Sequence, residues 1–168
     1  MSPPGRSQAL IPSALEAALA QCELHARVLR QDLQTLPRGF DVAAAAALDE
    51  RQRMLLDQAA YRHMKLQDAL GEKVLPALLA LTLDPLPPEA PFAQKLQRLE
   101  RLGVVSSAAA WKLLREARNS LAHDYPDYPE VQAAVLTGFL AAAAALLDEW
   151  DRARRFAAHW VAEGPSAA

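Results

Sequence analysis

Apolar residues recur at spacings of three and four along most of this 168-residue chain. The first stripe consists of Leu15, Leu19, Cys22, Ala26, Leu29, Leu33 and Leu36. Such spacing places side chains on one face of an α-helix, whereas a half-buried strand needs strict alternation of apolar and polar residues. No segment of useful length alternates in that way. The pattern therefore predicts an all-α fold.

Capping and helix-breaking residues indicate where the first helices begin and end. Ser13 and Glu16 have the spacing of a capping box, and residues 37–39 (Pro-Arg-Gly) should end the first helix. Asp41 is predicted to cap a second, long helix that runs to about Thr82. Within that helix, a glycine and a proline at positions 71 and 76 predict a bend.

The second half of the chain divides in the same way. Residues 84–91 include four prolines and are predicted to form a rigid loop. A short third helix follows from Phe92 and should stop at Gly103. Ser106 or Ser107 can cap a fourth helix. The fifth should begin at a proline, residue 129, and run to about residue 160.

Short connections between several amphipathic helices favour an up-and-down four-helix bundle with one additional short helix. We expect a single domain over residues 13–161, flanked by flexible ends at residues 1–12 and 162–168. The proline-rich loop is not expected to be a domain boundary, because neither side of it would make a separate core.

Composition excludes several classes of function. The net charge is -2, so no global basic field indicates a nucleic-acid partner, and any RNA site must be a local patch. The single cysteine, Cys22, excludes disulfides or a cysteine-based metal site within one chain. The N-terminus lacks a secretory signal, and the alanine runs 43–47 and 141–145 fall short of the ~20 apolar residues that span a bilayer. We therefore expect a cytoplasmic protein without membrane association.

The segment from Arg118 to Tyr125 combines side chains that can act on a phosphodiester. The guanidinium of Arg118 can hold a phosphate through two parallel hydrogen bonds. His123 can transfer protons near neutral pH, and Asn119 lies one turn before it. The guanidinium and the imidazole are enough for metal-free cleavage of RNA. Tyr125 offers a place at which such chemistry could be switched off.

The helical geometry of this segment predicts a shared site. At 100° per residue, Arg118 and His123 lie roughly 140° apart around a regular helix. They converge only if the helix ends near Ala122 or if a second copy contributes to the site. The sequence therefore favours a homodimer with the site in the seam.

Other charged residues and histidines carry weaker expectations. Five cations are candidate RNA-backbone contacts, although a solvated helix face is the more usual role of each one taken singly: Lys95, Arg98, Arg101, Lys112 and Arg115. The remaining histidines, His25, His63 and His159, are scattered and show no metal-ligand spacing. No metal site is therefore expected.

The residues Arg118-Asn119-Ser120-Leu121-Ala122-His123-Asp124-Tyr125 resemble the Arg-x4-His-x-Tyr signature of HepT-type toxins in the HEPN superfamily. The flanking residues 111–117 and 126–127 are also similar to that family, as is the stretch 65–76 on the long helix. Over residues 10–160 the resemblance is one of helix order and length.

This resemblance implies an all-helical homodimer that acts as a metal-independent endoribonuclease. It also implies a partner, an MntA-like nucleotidyltransferase antitoxin that transfers AMP from ATP to the motif tyrosine. Carried over, Arg118 would hold the scissile phosphate, His123 would be the acid and base, Asn119 would orient the site and Tyr125 would accept AMP. The chain itself would need no cofactor, since the antitoxin uses the ATP. Tyr128 is a competing acceptor at an offset that the signature does not match.

Two other classes of function remain open. The chain could be a non-catalytic module that presents a groove to a nucleotidyltransferase and its nucleotide, which suits its acidic balance. It could also be a plain structural helical bundle.

Overall fold

A computed structural model of the protein describes residues 12–82, 84–120 and 128–163, and all their side chains except those of residues 118–120 and 163. These ranges contain helices and connecting turns and no β-strand, so the all-α prediction is confirmed. The elements are α1 (Ser13–Thr35), α2 (Val42–Ala46), α3 (Glu50–Ala69), a π-helical segment (Leu70–Val74), α4 (Leu75–Ala80), α5 (Phe92–Arg101), α6 (Ala108–Ser120) and α7 (Pro129–Glu163). The expected flexible ends lie largely outside the described residues.

Helix α1 begins where the sequence predicts, but the predicted capping box is wrong. Pro12 occupies the N-cap position, so Ser13 is already the first helical residue and its side chain makes no cap. The carbonyl of Pro12 instead accepts hydrogen bonds from the backbone N–H groups of Leu15 and Glu16, at 2.9 and 3.1 Å. The apolar stripe of α1 packs mainly along α3.

The prediction of one long second helix from Asp41 is also wrong, because two separate helices, α2 and α3, form in its first part. The Asp41 carboxylate accepts from the Ala44 N–H at 2.7 Å, but this cap opens only the five-residue α2. The long helix begins after a second cap, at Asp49, which forms a capping box with Gln52. Leu48 is buried in the interruption, so the chain turns inward between the two caps.

Near Gly71 and Pro76, where the sequence predicts a bend, the structure has the π-helical segment, which joins α3 to α4 without a loop. A proline has no N–H to donate, and its ring crowds the preceding turn. Insertion of a π-helical turn is one way in which a continuous helix accommodates such a residue.

The turn between α5 and α6 follows the sequence prediction closely. Gly103 has a φ of 73°, and the N–H groups of Gly103 and Val104 donate to the carbonyls of Glu100 and Leu99, both at 2.9 Å. This is a Schellman motif, which ends a helix at a left-handed glycine. Of the two candidate caps for α6, Ser107 accepts from the Ala110 N–H at 2.9 Å.

Helix α7 packs against α1, α2, α3 and α6. Its buried face consists of Ala133, Leu136, Phe139, Leu140, Ala143, Leu146, Leu147, Trp150, Ala153 and Ala157. Polar contacts attach it to α1: the Trp150 indole N–H donates to Glu23 at 3.1 Å, and Arg30 pairs with Asp151 at 2.5 Å.

The expectation that no apolar run reaches membrane-spanning length needs correcting for α7. The chain carries no charged residue between Glu130 and Asp148, which extends the alanine run on both sides. By length and composition, residues 129–162 could cross a membrane, although core helices of soluble proteins pass the same test. Only 39% of the most apolar window is buried within the protomer. This helix therefore buries one face and leaves apolar surface on another.

His63 lies fully buried on α3, with its ring edge-to-face against Phe139 at 5.7 Å between centroids. Neither ring nitrogen has a hydrogen-bond partner among the described residues. Burial lowers the pKa of His63 from 6.5 to about 4, because a charged imidazolium would lose its hydration there. The folded protein therefore holds this histidine neutral.

This burial predicts a pH-dependent loss of stability. Because the pKa is lower in the folded state, protons bind the unfolded chain preferentially, and stability falls as the pH falls from about 6.5 towards about 4. The contribution of His63 is about 3 kcal/mol over that window. Urea denaturation at a series of pH values should show a shallower loss for His63→Leu than for the wild type. The control Met54→Leu, at an exposed and non-ionisable position of the same helix, should keep the wild-type slope, and equal slopes for all three proteins would contradict the prediction.

Candidate functional site

The residues of the predicted catalytic motif fall at the limit of the described structure. Arg118 and Asn119 lie in the last turn of α6, which ends at Ser120. The structure describes their backbone but not their side chains. His123 and Tyr125 lie outside the described residues. The geometry of these four side chains therefore stays a prediction, and the surroundings of the motif are what the structure provides.

Helix α6 leads into the motif with a sharply divided surface. Trp111 and Leu114 are buried, whereas Lys112 and Arg115 are exposed. The inward face is thus centred on Trp111 and Leu114, and the alanines at positions 110 and 117 beside it are half-buried. The two cations are available to solvent one and two turns before Arg118.

Two of the three cations of α5 contact the proline-rich loop, whereas the third is exposed to solvent. The Lys95 ammonium donates to the Pro88 carbonyl at 2.6 Å, and Arg98 pairs with Asp84 at 3.5 Å. Both contacts attach the proline-rich loop to α5. Arg101, by contrast, is exposed at the end of that helix. The described contacts therefore favour a structural role for two of the three α5 cations and leave an RNA role open for Arg101.

An exposed apolar strip runs along α7, and part of it lies beside α6. We call Val131, Ala134, Gly138, Ala141 and Ala145 the α7 strip; they recur at spacings of three and four, and all are exposed. Leu113 on α6 is 65% exposed and lines a groove of about 430 Å³ together with Ala141 and Ala145. Small side chains allow a second helix to approach closely, so this surface is suited to helix packing.

The base of that groove is held by a buried carboxylate. Glu149 on α7 accepts from the Ser106 N–H at 3.0 Å and also from the Ser106 hydroxyl. These bonds satisfy a charge that is almost completely buried, as a buried carboxylate requires. They fix the start of α6 against α7, and with it the direction in which α6 approaches the motif.

A pocket of about 550 Å³ opens between the π-helical segment and α6. It is lined by Gln67, Asp68, Gly71, Glu72, Pro76, Phe92, Trp111 and Arg115. Apart from Phe92 on α5, the lining residues come from the stretches 65–76 and 111–117, which lie more than thirty residues apart in the chain. Trp111 and Gly71 are in close contact: a Cβ added at Gly71 would lie 2.9 Å from Cζ2 of the indole. Only glycine at this position lets the indole form the wall.

Gln67 is the functional candidate that the sequence prediction missed. Its side chain is buried next to Leu66, on a helix face whose buried residues are apolar apart from His63 one turn earlier. The sequence does show a polar residue directly beside the apolar stripe of this helix. The stripe alone does not show which of its neighbouring positions are buried by other helices.

A second polar cluster joins α1 to α3. The Gln58 amide donates to Asp32 at 2.8 Å, and the Arg62 guanidinium donates to Nδ1 of His25 at 3.2 Å. Burial raises the pKa of Asp32 against the opposing effects of Gln58 and Arg62. Burial also lowers the pKa of His25, and the charges of Arg62 and Lys65 lower it further. Since Arg62 can only donate, His25 is neutral here with its proton on Nε2, which suits a structural contact between helices.

Metal and thiol chemistry find no support in the part of the chain that the structure describes. No group of three or more histidine, cysteine or acidic side chains there could hold a metal ion. Burial raises the pKa of the Cys22 thiol to about 12, so it is not a reactive thiolate at neutral pH.

Comparisons of this chain with protein-family models, with curated proteins and with solved structures find no match.

Proposed function

We propose that this protein is a metal-independent endoribonuclease toxin of the HEPN type, with Arg118 and His123 as its catalytic pair. The observation that carries the proposal is the Arg-x4-His-x-Tyr segment, which continues directly from α6, a helix with Lys112 and Arg115 exposed to solvent. Exposed cations leading into a phosphodiester-directed motif provide the local attraction that a chain of net charge -2 otherwise lacks.

We further propose that the architecture is an up-and-down four-helix bundle that forms a homodimer. Four long helical stretches support the first part: α1, the continuous helix from α3 to α4, α6 and α7, with α5 as the additional short helix. The α7 strip and Leu113 support the second, because they expose apolar surface next to the helix that carries the motif. A second copy packed there would bring two copies of the motif towards one another.

In such a dimer the chemistry would need no cofactor. Arg118 would hold the scissile phosphate and stabilise the charge that develops on the phosphorane. Two His123 side chains across the twofold axis would divide the work, one accepting the proton of the 2′-hydroxyl and the other protonating the leaving oxygen. Asn119 would orient the phosphate or the imidazole. The products would be a 2′,3′-cyclic phosphate and a 5′-hydroxyl.

The switch that we propose acts through Tyr125. A nucleotidyltransferase antitoxin of the MntA type would transfer AMP from ATP to the phenol oxygen and release pyrophosphate. The added phosphate would repel the RNA backbone, and the nucleoside would fill the cleft. This pairing belongs in the cytoplasm, where RNA and ATP are both present.

The catalytic assignment is tested by comparing RNA cleavage by the wild type, His123→Ala and His159→Ala. Loss of the acid and base should lower the cleavage rate about 10²- to 10⁴-fold in His123→Ala. The exposed His159 serves as the matched control and should leave the rate unchanged. Circular dichroism should show the same helix content in all three proteins. Cleavage by His123→Ala at the wild-type rate would refute the assignment.

The dimer is tested by placing a charge on the apolar surface beside the motif. Leu113→Asp should weaken self-association at least about tenfold, because an unpaired carboxylate would be buried in the seam. Met54→Asp is the control, since Met54 is equally exposed (66%) but belongs to α3. Sedimentation velocity should find dimers for the wild type and Met54→Asp. A monomeric wild type, or an unaffected Leu113→Asp dimer, would contradict this seam.

The switch is tested by intact-mass measurement after incubation with a neighbouring nucleotidyltransferase and ATP. The wild type should gain one or more AMP units, and Tyr125→Phe should gain none. Tyr128→Phe is the matched control, because Tyr128 is highly exposed (71%) and only three residues away. Modification that persists in Tyr125→Phe and disappears in Tyr128→Phe would move the acceptor to the second tyrosine.

A non-catalytic partner module is the second candidate function. It is supported by the net charge of -2, which does not attract RNA, and by the contacts that Lys95 and Arg98 make with the proline-rich loop. Purified, unmodified protein separates the two candidates: a module of this kind would bind the nucleotidyltransferase and leave RNA intact.

A further inference from the structure

We propose that the pocket between the π-helical segment and α6 binds a nucleobase, with the Gln67 amide reading the edge of the base. The base binding itself does not depend on the proposed nuclease activity. The role that we assign to it, holding a nucleotide beside the cleavage motif, does rest on that proposed function.

The first observation is the state of the Gln67 side chain. It is only 5% exposed, and neither its Nε2 donor nor its Oε1 acceptor has a hydrogen-bond partner among the described residues. Burying an amide without partners is unfavourable, so such groups are normally paired with protein, water or ligand. Both amide atoms are closed to solvent, so the side chain must turn its amide into the pocket that it lines before a bound molecule with one acceptor and one donor side by side can satisfy both atoms.

The second observation is the shape and polarity of the walls. Trp111, Phe92 and Pro76 provide apolar surface, and the volume of about 550 Å³ is in the range of small-molecule sites. Flat apolar surfaces combined with a few hydrogen-bonding groups are how proteins hold an unstacked base. An amide side chain can form two parallel hydrogen bonds with the N6 and N7 positions of adenine. Adenine is therefore the base that we expect to bind best.

The third observation is the distribution of charge around the opening. Asp68 and Glu72 line the pocket on the side of the long helix, whereas Arg115 lines it from α6. The carboxylates disfavour a phosphate inside the pocket, and the guanidinium offers a phosphate contact at its rim. The expected orientation thus places the base inward, with the sugar and phosphate towards α6.

The position of Arg115 connects this pocket to the predicted cleavage motif. Arg115 and Arg118 are three residues apart on α6, a spacing that places two residues on neighbouring positions of a helix surface. A nucleotide whose base occupies the pocket would therefore have its backbone directed towards the motif. Two sources share this chemistry: a residue of the RNA substrate, or the adenine of an AMP group attached to Tyr125.

The test is a titration of the full-length protein with adenosine, followed by NMR on the indole N–H signal of Trp111. The wild type should show a saturable shift of that signal. Gln67→Leu should bind adenosine at least about 10-fold more weakly, since two hydrogen bonds are lost. Gln97→Leu, the same substitution at an exposed position of α5 outside the pocket, should bind as the wild type does.

A second variant keeps the test decisive if Gln67→Leu fails to fold. Gly71→Ala introduces a methyl group 2.9 Å from the Trp111 ring, which displaces the indole and narrows the pocket. It should weaken adenosine binding while leaving Gln67 in place. Lys73→Ala, at an exposed position of the same π-helical segment outside the pocket lining, is its control for backbone effects and should keep the shift of the Trp111 signal.

The outcomes separate this proposal from the nuclease proposal. If the wild type binds none of adenosine, guanosine, cytidine and uridine, the pocket holds only water and the inference is overturned. This conclusion is independent of the RNA cleavage result for His123→Ala. Adenosine binding of equal strength in the wild type and Gln67→Leu overturns it as well. If binding is lost in Gln67→Leu, a changed base preference in RNA cleavage by that variant identifies RNA as the source. A Trp111 signal that shifts on AMP transfer to Tyr125, and fails to shift in Gln67→Leu, identifies the attached AMP.

Discussion

The burial of one face of α7 is the constraint on which the rest of the structure depends. This helix is 35 residues long and contacts α1, α2, α3 and α6, so it joins four other helices in one core. Three consecutive residues fasten it: Glu149 holds the start of α6, while Trp150 and Asp151 hold α1. Removing apolar surface from water drives this packing, and the buried polar contacts select one arrangement of the helices.

The same helix has more apolar surface than one protomer covers. Its uncharged middle section is buried on the side of Phe139 and Leu146, yet the α7 strip on another side remains exposed next to Leu113. An exposed apolar surface of this kind usually marks a contact with another molecule. The proposal of a homodimer with its active site in the seam gives this surface a function, because the same packing would bring two motif segments together.

The π-helical segment links packing to the second proposed binding site. Gly71 lies in it, and the absence of a side chain there allows the Trp111 ring to pack against the backbone of the long helix. That contact brings α6 to the long helix and forms the pocket in which Gln67 is buried without partners. An irregular turn, a close glycine contact and an unsatisfied amide thus occur together, a combination that is costly for a fold and more typical of binding sites than of cores.

The sequence by itself determined the features that depend on local chemistry. The three-and-four spacing predicted helices, the left-handed glycine at Gly103 ended α5, and Ser107 was one of the two caps named for α6. Local signals also compete, which is why the single helix predicted from Asp41 became two: the Asp49–Gln52 capping box restarts the helix after Leu48 turns inward. Only the tertiary structure decided which polar residues lost contact with water. Gln67 and His63 are buried because α6 and α7 cover them from positions more than forty residues away. Periodicity describes one helix at a time, whereas burial depends on the distant segments that pack against it.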